Sequence, residues 1–119
     1  MYPQAIEEFT RGAQLAGDKD LIEVASAYQQ GFRISGWKGA LEKAITVRKA
    51  HRQNGHVESA YFIAEDYAEL GDKDRAFEWL SLAYQEHDVN LLSLKTDFLF
   101  DSLHSDPRFS ELARKIGLP

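Results

Sequence analysis

The stretch that decides the fold is YAELGDKDRAFEWLSLAY, residues 67–84, where apolar residues recur at helical spacing on both sides of a Gly-Asp step. The stripe before the step is Ala60, Ile63, Ala64 and Tyr67, and the stripe after it is Ala76, Phe77, Leu80, Ala83 and Tyr84. Gly71 can take the left-handed conformation that ends a helix, and Asp72 can cap the next one. The pattern predicts helices over about 57–70 and 73–86, folded back on each other as an antiparallel pair.

A similar unit lies upstream. Its two apolar stripes are separated by Ser35-Gly36-Trp37; the first is Leu21, Val24, Ala25, Tyr28 and Phe32, and the second is Ala40, Leu41, Ala44 and Val47. Gly36 and Gly71 are 35 positions apart. A first helix begins at Pro3 and ends near Gly17, and a last one begins at Asp106-Pro107 and ends at Gly117. No segment alternates apolar and polar residues long enough for a strand, so the sequence predicts an all-α protein.

Length and composition limit the remaining possibilities. With 119 residues, one domain is expected, and no run approaches the roughly 18 consecutive apolar residues of a membrane span. The absence of Cys excludes disulfides and thiolate sites and fits a reducing compartment, so we predict a cytoplasmic location. The net charge of -5 is unevenly distributed, because residues 33–52 carry six bases against one acid and residues 58–88 carry nine acids against two bases.

A period near 34 residues built from helical hairpins resembles the tetratricopeptide repeat. With Gly71-Asp72 on that motif's turn, small or aromatic motif positions fall on Ala64, Tyr67, Ala76, Leu80 and Ala83. Residues 57–88 then look like a full repeat, 20–54 like a divergent repeat, 1–17 like a partial repeat and 89–119 like a C-terminal cap with a capping helix. The resemblance implies one tetratricopeptide-like domain over residues 1–119, arranged as a right-handed α-α superhelix.

Three segments carry a more specific resemblance: GWKGALEK, the opening stretch, and SDPRFSELARKIGLP. Together they are similar to the C-terminal tetratricopeptide tail of multidomain bacterial regulators, in which a winged-helix, kinase or cyclase domain precedes the repeats. The resemblance implies a non-catalytic protein-protein interaction module in signalling or regulation.

The same resemblance implies where a ligand would bind. The ligand-facing positions of the family's first helix correspond here to Glu58, Tyr61, Glu65, Ala68 and Glu69. Three of these five residues are acidic, which is unlike the family members that clamp a terminal carboxylate. The register therefore predicts an acidic concave groove for a basic peptide or protein segment, with an apolar or cationic side chain set against the Tyr61 ring.

Two other functions stay open. A nucleic-acid-binding accessory domain would use the basic face of residues 33–52, at Lys43, Arg48, Lys49 and Arg52, although these bases mostly fall on the side that a solvated helix presents to water. A structural cap or self-association module would instead make the chain a homo-oligomer.

Metal binding and catalysis have weak support in the sequence. His51 and His56 are five positions apart across Asn54-Gly55, and His87 and His104 are isolated, so all four read as surface or loop residues. No nucleophile motif, Gly-rich phosphate loop or dinucleotide fingerprint occurs. We therefore expect no metal, no cofactor and no enzymatic activity.

Overall fold

A computed structural model of the chain describes residues 2–118. Within that range every regular element is helical and no strand occurs, which confirms the all-α prediction. The α-helices are α1 (Tyr2–Ala16), α2 (Lys19–Gln53), α3 (Ala60–Leu70), α4 (Lys73–Gln85) and α5 (Pro107–Ile116), and two 3-10 helices span Val89–Ser93 and Phe98–Leu103. In the described part of the chain, no helix combines the length and the apolar character needed to cross a membrane.

The chain divides into two compact units, the first ending at Glu58 and the second beginning at Ser59. The assignment of four repeat-related segments and the right-handed superhelix stay predictions.

In the first unit, α1 packs against α2, and α2 is interrupted where the sequence predicts a break. Ser35 and Gly36 leave the helical conformation, and Gly36 has φ 66° and ψ -153°, a region that essentially only glycine enters. Residues 19–34 form the first segment of α2 and residues 37–53 its second segment. Directly after the break, the Trp37 ring stacks on Tyr2 and Tyr28 at centroid distances of 4.6 and 5.9 Å.

The two segments of α2 touch through backbone atoms at Gly31 and Gly39. A Cβ placed on Gly31 would lie 2.2 Å from the carbonyl oxygen of Gly39, and a Cβ on Gly39 would lie 2.4 Å from that of Gly31. Real Cβ contacts are never so short, so only glycine fits at either position. This close approach makes the two segments a hairpin, as expected from the divergent repeat over residues 20–54, but the glycine contact between them was not predicted.

In the second unit, α3 and α4 form the predicted hairpin. Gly71 adopts a left-handed φ of 83° and ends α3, and the Asp72 side chain accepts a hydrogen bond from the Arg75 N–H at 3.1 Å. The small residues of the two apolar stripes, Ala64, Ala76 and Ala83, are fully buried. The start of α3 was predicted three residues too early, because Ser59 caps the helix by accepting from the Tyr61 N–H at 3.1 Å.

Two 3-10 helices follow α4, and both begin at an aspartate. Asp88 accepts from the Asn90 N–H and Asp97 from the Leu99 N–H, each at 3.0 Å. The buried side chains of these helices are Leu91, Phe100 and Leu103, and Leu94, directly after the first helix, is also buried. The chain then enters α5 at Asp106-Pro107 and leaves it at Gly117, as predicted. Arg108 joins α5 to α4, because its guanidinium lies over the Phe77 ring at 4.4 Å and pairs with Asp74 at 3.0 Å.

Candidate functional site

Tyr61, the predicted anchor of an acidic groove, is buried. Its side chain is 2% exposed, its hydroxyl donates to an Asp97 carboxylate oxygen at 2.7 Å, and its ring meets Phe100 edge-on at 5.3 Å. The prediction that this ring is open to a ligand is therefore wrong. The reason is that the second 3-10 helix packs against α3 and covers the face that the repeat register assigns to a ligand.

The other predicted groove residues are placed differently from one another. Ala68 is buried on α3, while Glu65 and Glu69 are partly exposed on the same helix. Glu65 shares a hydrogen bond with Asp97, on the same carboxyl group that Tyr61 contacts. Glu58 belongs to the first unit, where its side chain is 7% exposed and its carboxylate is ion-paired. Of the five residues, Glu65 and Glu69 alone offer a partly accessible acid.

The contact between Tyr61 and Asp97 perturbs both groups. Burial raises the pKa of the Tyr61 hydroxyl well above its ordinary value, and the hydrogen bond to Asp97 raises it further. Burial also tends to raise the pKa of Asp97, but the interaction with the Glu65 side chain and the hydrogen bonds donated by the Tyr61 hydroxyl and the Leu99 N–H outweigh burial and lower that pKa. Asp97 is therefore an ionised acceptor at neutral pH, and Tyr61 is its neutral donor.

We expect Tyr61→Phe to lower the free energy of unfolding at neutral pH by about 1.5–3 kcal/mol, the usual worth of a hydrogen bond to a charged group. A carboxyl whose folded pKa is lowered contributes stability above its unfolded pKa and loses it as pH falls through the folded value. The difference in the free energy of unfolding between wild type and Tyr61→Phe should therefore be complete at pH 7. It should shrink as the pH falls below 3.8, the ordinary pKa of an aspartate.

Chemical denaturation at a series of pH values measures this difference. Tyr84→Phe is the matched control, because Tyr84 lies exposed on α4, and it should match wild type throughout. An equal loss in both variants, or a Tyr61→Phe loss that persists unchanged in acid, contradicts the assigned hydrogen bond.

The basic residues of the alternative prediction do not share one exposed face. Lys43 is exposed and Lys49 is partly exposed, but Arg48 is only 4% exposed. Arg48 and Arg52 both bind Glu58. A guanidinium nitrogen of Arg48 lies 2.8 Å from the Glu58 carboxylate, and a guanidinium nitrogen of Arg52 lies 2.7 Å from the Glu58 backbone carbonyl oxygen. The expectation of a solvated basic face is therefore wrong for Arg48, because the loop after α2 brings Glu58 back onto the helix.

His51 continues this buried chain of contacts. Its Nδ1 atom lies 3.3 Å from the second carboxylate oxygen of Glu58, and its Nε2 atom lies 2.6 Å from a carboxylate oxygen of Glu23. Burial lowers the pKa of His51, but the hydrogen bonds with Glu23 and Glu58 and the charges of Asp20 and Glu23 together raise it above its usual value. His51 was expected on the surface, and that expectation is wrong because it is 4% exposed near the end of α2.

A second histidine stands beside the first. The His56 ring lies nearly parallel to that of His51 at 5.5 Å, and its Nδ1 atom is 3.0 Å from an Asp20 carboxylate oxygen. One potential ligand atom from each of Asp20, His51 and His56 lies within 4.8 Å of the others, so these residues could hold a metal ion. The one feature of the sequence that could have pointed to this cluster is the pair Asp20 and Glu23, two acids that lie one helical turn apart.

The most exposed large apolar side chains of the second unit lie in its 3-10 region. Val89, Leu92 and Phe98 are each at least 69% exposed. Val89 and Leu92 are three residues apart in one 3-10 helix, and therefore project from the same side. Residues 86–101, the 3-10 segment, also carry four acids against a single base: Glu86, Asp88, Asp97 and Asp101 against Lys95.

Comparison with known proteins does not place the chain in a family. No family model, no curated protein and no solved structure matched it in the three searches.

Proposed function

We propose that the chain is a non-catalytic protein-interaction module of the tetratricopeptide-like kind, and that it binds a basic segment of a partner protein that also carries apolar side chains. A repeated feature of the architecture supports the proposal. Gly36 and Gly71 lie 35 residues apart, both have a positive φ, and each joins two antiparallel helical segments. Hairpins repeated at this period are the building unit of helical-repeat proteins, whose usual role is protein recognition.

The observation that carries the proposal is the exposure of Val89, Leu92 and Phe98 within ten residues of one another. Grouped apolar side chains on a surface mark interaction sites, whereas isolated ones are ordinary. Leu91, Leu94 and Phe100 anchor the same segment in the core, so the exposed side chains are held by a packed support. Less ordering entropy is then lost on binding.

The charge of the 3-10 segment selects the partner. With four acids against one base, this segment favours a basic ligand and disfavours an acidic one. The sequence predicted a basic partner bound on α3 around Tyr61. Because Tyr61 is buried beneath the second 3-10 helix, we assign the basic partner to residues 86–101 instead. The nucleic-acid alternative loses support, since Arg48 and Arg52 are both bound to Glu58. A cytoplasmic location stays a prediction.

The test compares two fluorescent peptides that share the same apolar residues, one with lysines and one with glutamates between them. Fluorescence anisotropy is measured at low and high salt for wild type and for the variant Leu92→Ser/Phe98→Ser. The control is Leu15→Ser/Ile34→Ser, which removes two exposed apolar side chains from the first unit.

We expect wild type and control to bind the lysine peptide, with salt weakening the binding, and the Leu92→Ser/Phe98→Ser variant to lose roughly tenfold or more in affinity. Equal binding by wild type and variant, or equal binding of the two peptides, contradicts the proposal. The unliganded protein could also sediment as a dimer, and the Leu92→Ser/Phe98→Ser variant as a monomer. That result would assign the surface to a second copy of the chain and would also overturn the proposal.

A further inference from the structure

We infer that Asp20, Glu23, His51 and His56 form a binding site for one divalent first-row transition-metal ion such as Zn²⁺. The site lies wholly in the first unit, so the inference is independent of the peptide-binding surface proposed for the second. It also reverses the expectation from the sequence that the histidines have no metal role.

The hairpin of α2 brings the four side chains together. Asp20 and Glu23 lie in the first turn and a half of the first segment, His51 lies near the end of the second segment, and His56 follows in the loop. Around the Nε2 atom of His51, the nearest carboxylate oxygens are those of Glu23 at 2.6 Å and Asp20 at 3.7 Å. The His56 Nδ1 atom approaches both Asp20 oxygens, at 3.0 and 3.1 Å.

These separations suit a shared ion. Zinc bonds of about 2.0–2.2 Å to nitrogen and oxygen in a tetrahedron place the donor atoms about 3.3 Å from one another. Three donor separations, His51–Glu23 at 2.6 Å, His56–Asp20 at 3.0 Å and His51–Asp20 at 3.7 Å, bracket that distance. One ligand atom from each of Asp20, His51 and His56 lies within 4.8 Å of the others, and Glu23 joins this set through its contact with His51. Glu23 and His56 are 62% and 50% exposed at their side chains, so both can adjust to an entering ion and leave it a path from solvent.

Glu58 prepares His51 for this role from the opposite side of the ring. It faces Nδ1 at 3.3 Å and is itself held by Arg48 at 2.8 Å, both side chains being buried. When Nδ1–H donates to this carboxylate, the lone pair of Nε2 points towards Asp20 and Glu23. Metal-binding histidines usually donate their second ring nitrogen to a carboxylate or carbonyl in this way, which orients the ring and raises its basicity.

Charge and donor type define the class of ion. Asp20 and Glu23 supply two negative charges, which balance a divalent cation, while the charge of Glu58 is already paired with Arg48. Two imidazoles with two carboxylates suit Zn²⁺, Co²⁺ or Ni²⁺, whereas Ca²⁺ and Mg²⁺ prefer sets made of oxygen atoms alone. The bound ion would tie the two ends of the α2 hairpin to the following loop.

The alternative is a site without a metal, in which a protonated His51 bridges Glu23 and Glu58. Isothermal titration of the tag-free, chelator-treated protein with Zn²⁺ distinguishes the two, and Co²⁺ titration reports the geometry through its visible absorption. The key variant is His56→Ala, because His56 is exposed and its loss should leave the fold intact by circular dichroism. Asp20→Asn is the second variant, and His87→Ala, at an exposed histidine of the second unit, is the matched control.

We expect one Zn²⁺ per chain, a rise in the melting temperature of the first unit on binding, and an intense tetrahedral Co²⁺ spectrum. His56→Ala and Asp20→Asn should each weaken Zn²⁺ binding at least tenfold, and His87→Ala should leave it unchanged. The absence of saturable one-to-one binding, or equal affinities in wild type and His56→Ala, overturns the inference in favour of the protonated bridge.

Discussion

The variant Gly31→Ala is expected to lose more than about 3 kcal/mol of stability, above the usual cost of overpacking, and to leave the first unit largely unfolded. Its new Cβ would meet three backbone atoms of the facing segment, at 2.2, 2.6 and 2.8 Å. Backbone atoms cannot rotate away as the end of a side chain can. The two segments of α2 would have to separate, which would break the packing between them.

Gly12→Ala is the matched control for this substitution. Gly12 lies within α1, and a Cβ added there would have no neighbour within 4 Å. The same chemical change should therefore stabilise the protein by about 0.5–1 kcal/mol, because alanine costs less backbone entropy in a helix. Thermal and urea unfolding of both variants should show a loss of stability for Gly31→Ala and a gain for Gly12→Ala. A Gly31→Ala protein as stable as wild type would show that the two segments do not approach through their backbones.

The second large effect is expected for Arg48→Met in metal-free buffer. This change keeps an unbranched, largely apolar side chain of similar bulk near the backbone but removes the guanidinium group, so the buried carboxylate of Glu58 loses that partner. Breaking a buried ion pair on one side costs about 3–5 kcal/mol, since the remaining charge stays desolvated. The variant Lys43→Met, on the exposed side of the same segment, should stay within about 0.5 kcal/mol of wild type.

The double variant Arg48→Met/Glu58→Leu separates the pair from general packing damage. Removing both charges eliminates the uncompensated carboxylate, so the double variant should be more stable than Arg48→Met alone. Urea unfolding followed by circular dichroism measures all four proteins. A loss below about 0.5 kcal/mol for Arg48→Met, or no recovery in the double variant, would contradict the buried pair.

The features that the sequence could predict are those set by residue type and local spacing. Gly36 and Gly71 were predicted to break or end helices, and both have positive φ. Asp72 and Asp106 were predicted to begin helices, and their side chains accept the expected backbone hydrogen bonds. In each case, the preference of one residue acts within a few positions of the chain, so no knowledge of tertiary structure was needed.

The features that the sequence could not predict arise from tertiary contacts. Asp20 and His56 are 36 positions apart, and they meet because the hairpin of α2 reverses the chain between them. Gly31 and Gly39 have no distinctive local pattern, yet the same reversal places them against each other. The repeat register predicts that Tyr61 is exposed, but the second 3-10 helix buries it. That helix was not predicted, because the apolar residues after Asp88 are irregularly spaced.

The two 3-10 helices themselves lack the 3.6-residue periodicity on which the helix predictions depended. Leu91 and Leu94 point inward, whereas Val89 and Leu92 point to solvent, a three-residue pattern that extends over only five or six positions. So short a period cannot be distinguished from an irregular apolar run by sequence alone. The surface proposed for partner binding was therefore found from the structure.

The most direct test of the proposed module is an NMR titration of the ¹⁵N-labelled protein with the lysine-containing amphipathic peptide. Amide shifts should concentrate between residues 86 and 101, with the largest changes around Val89, Leu92 and Phe98, and should saturate at one peptide per chain. Amides of the first unit should not move. Shifts confined to residues 33–52 or to the exposed acids of α3, or no shifts at saturating peptide, would contradict the assignment of this segment as the partner-binding surface.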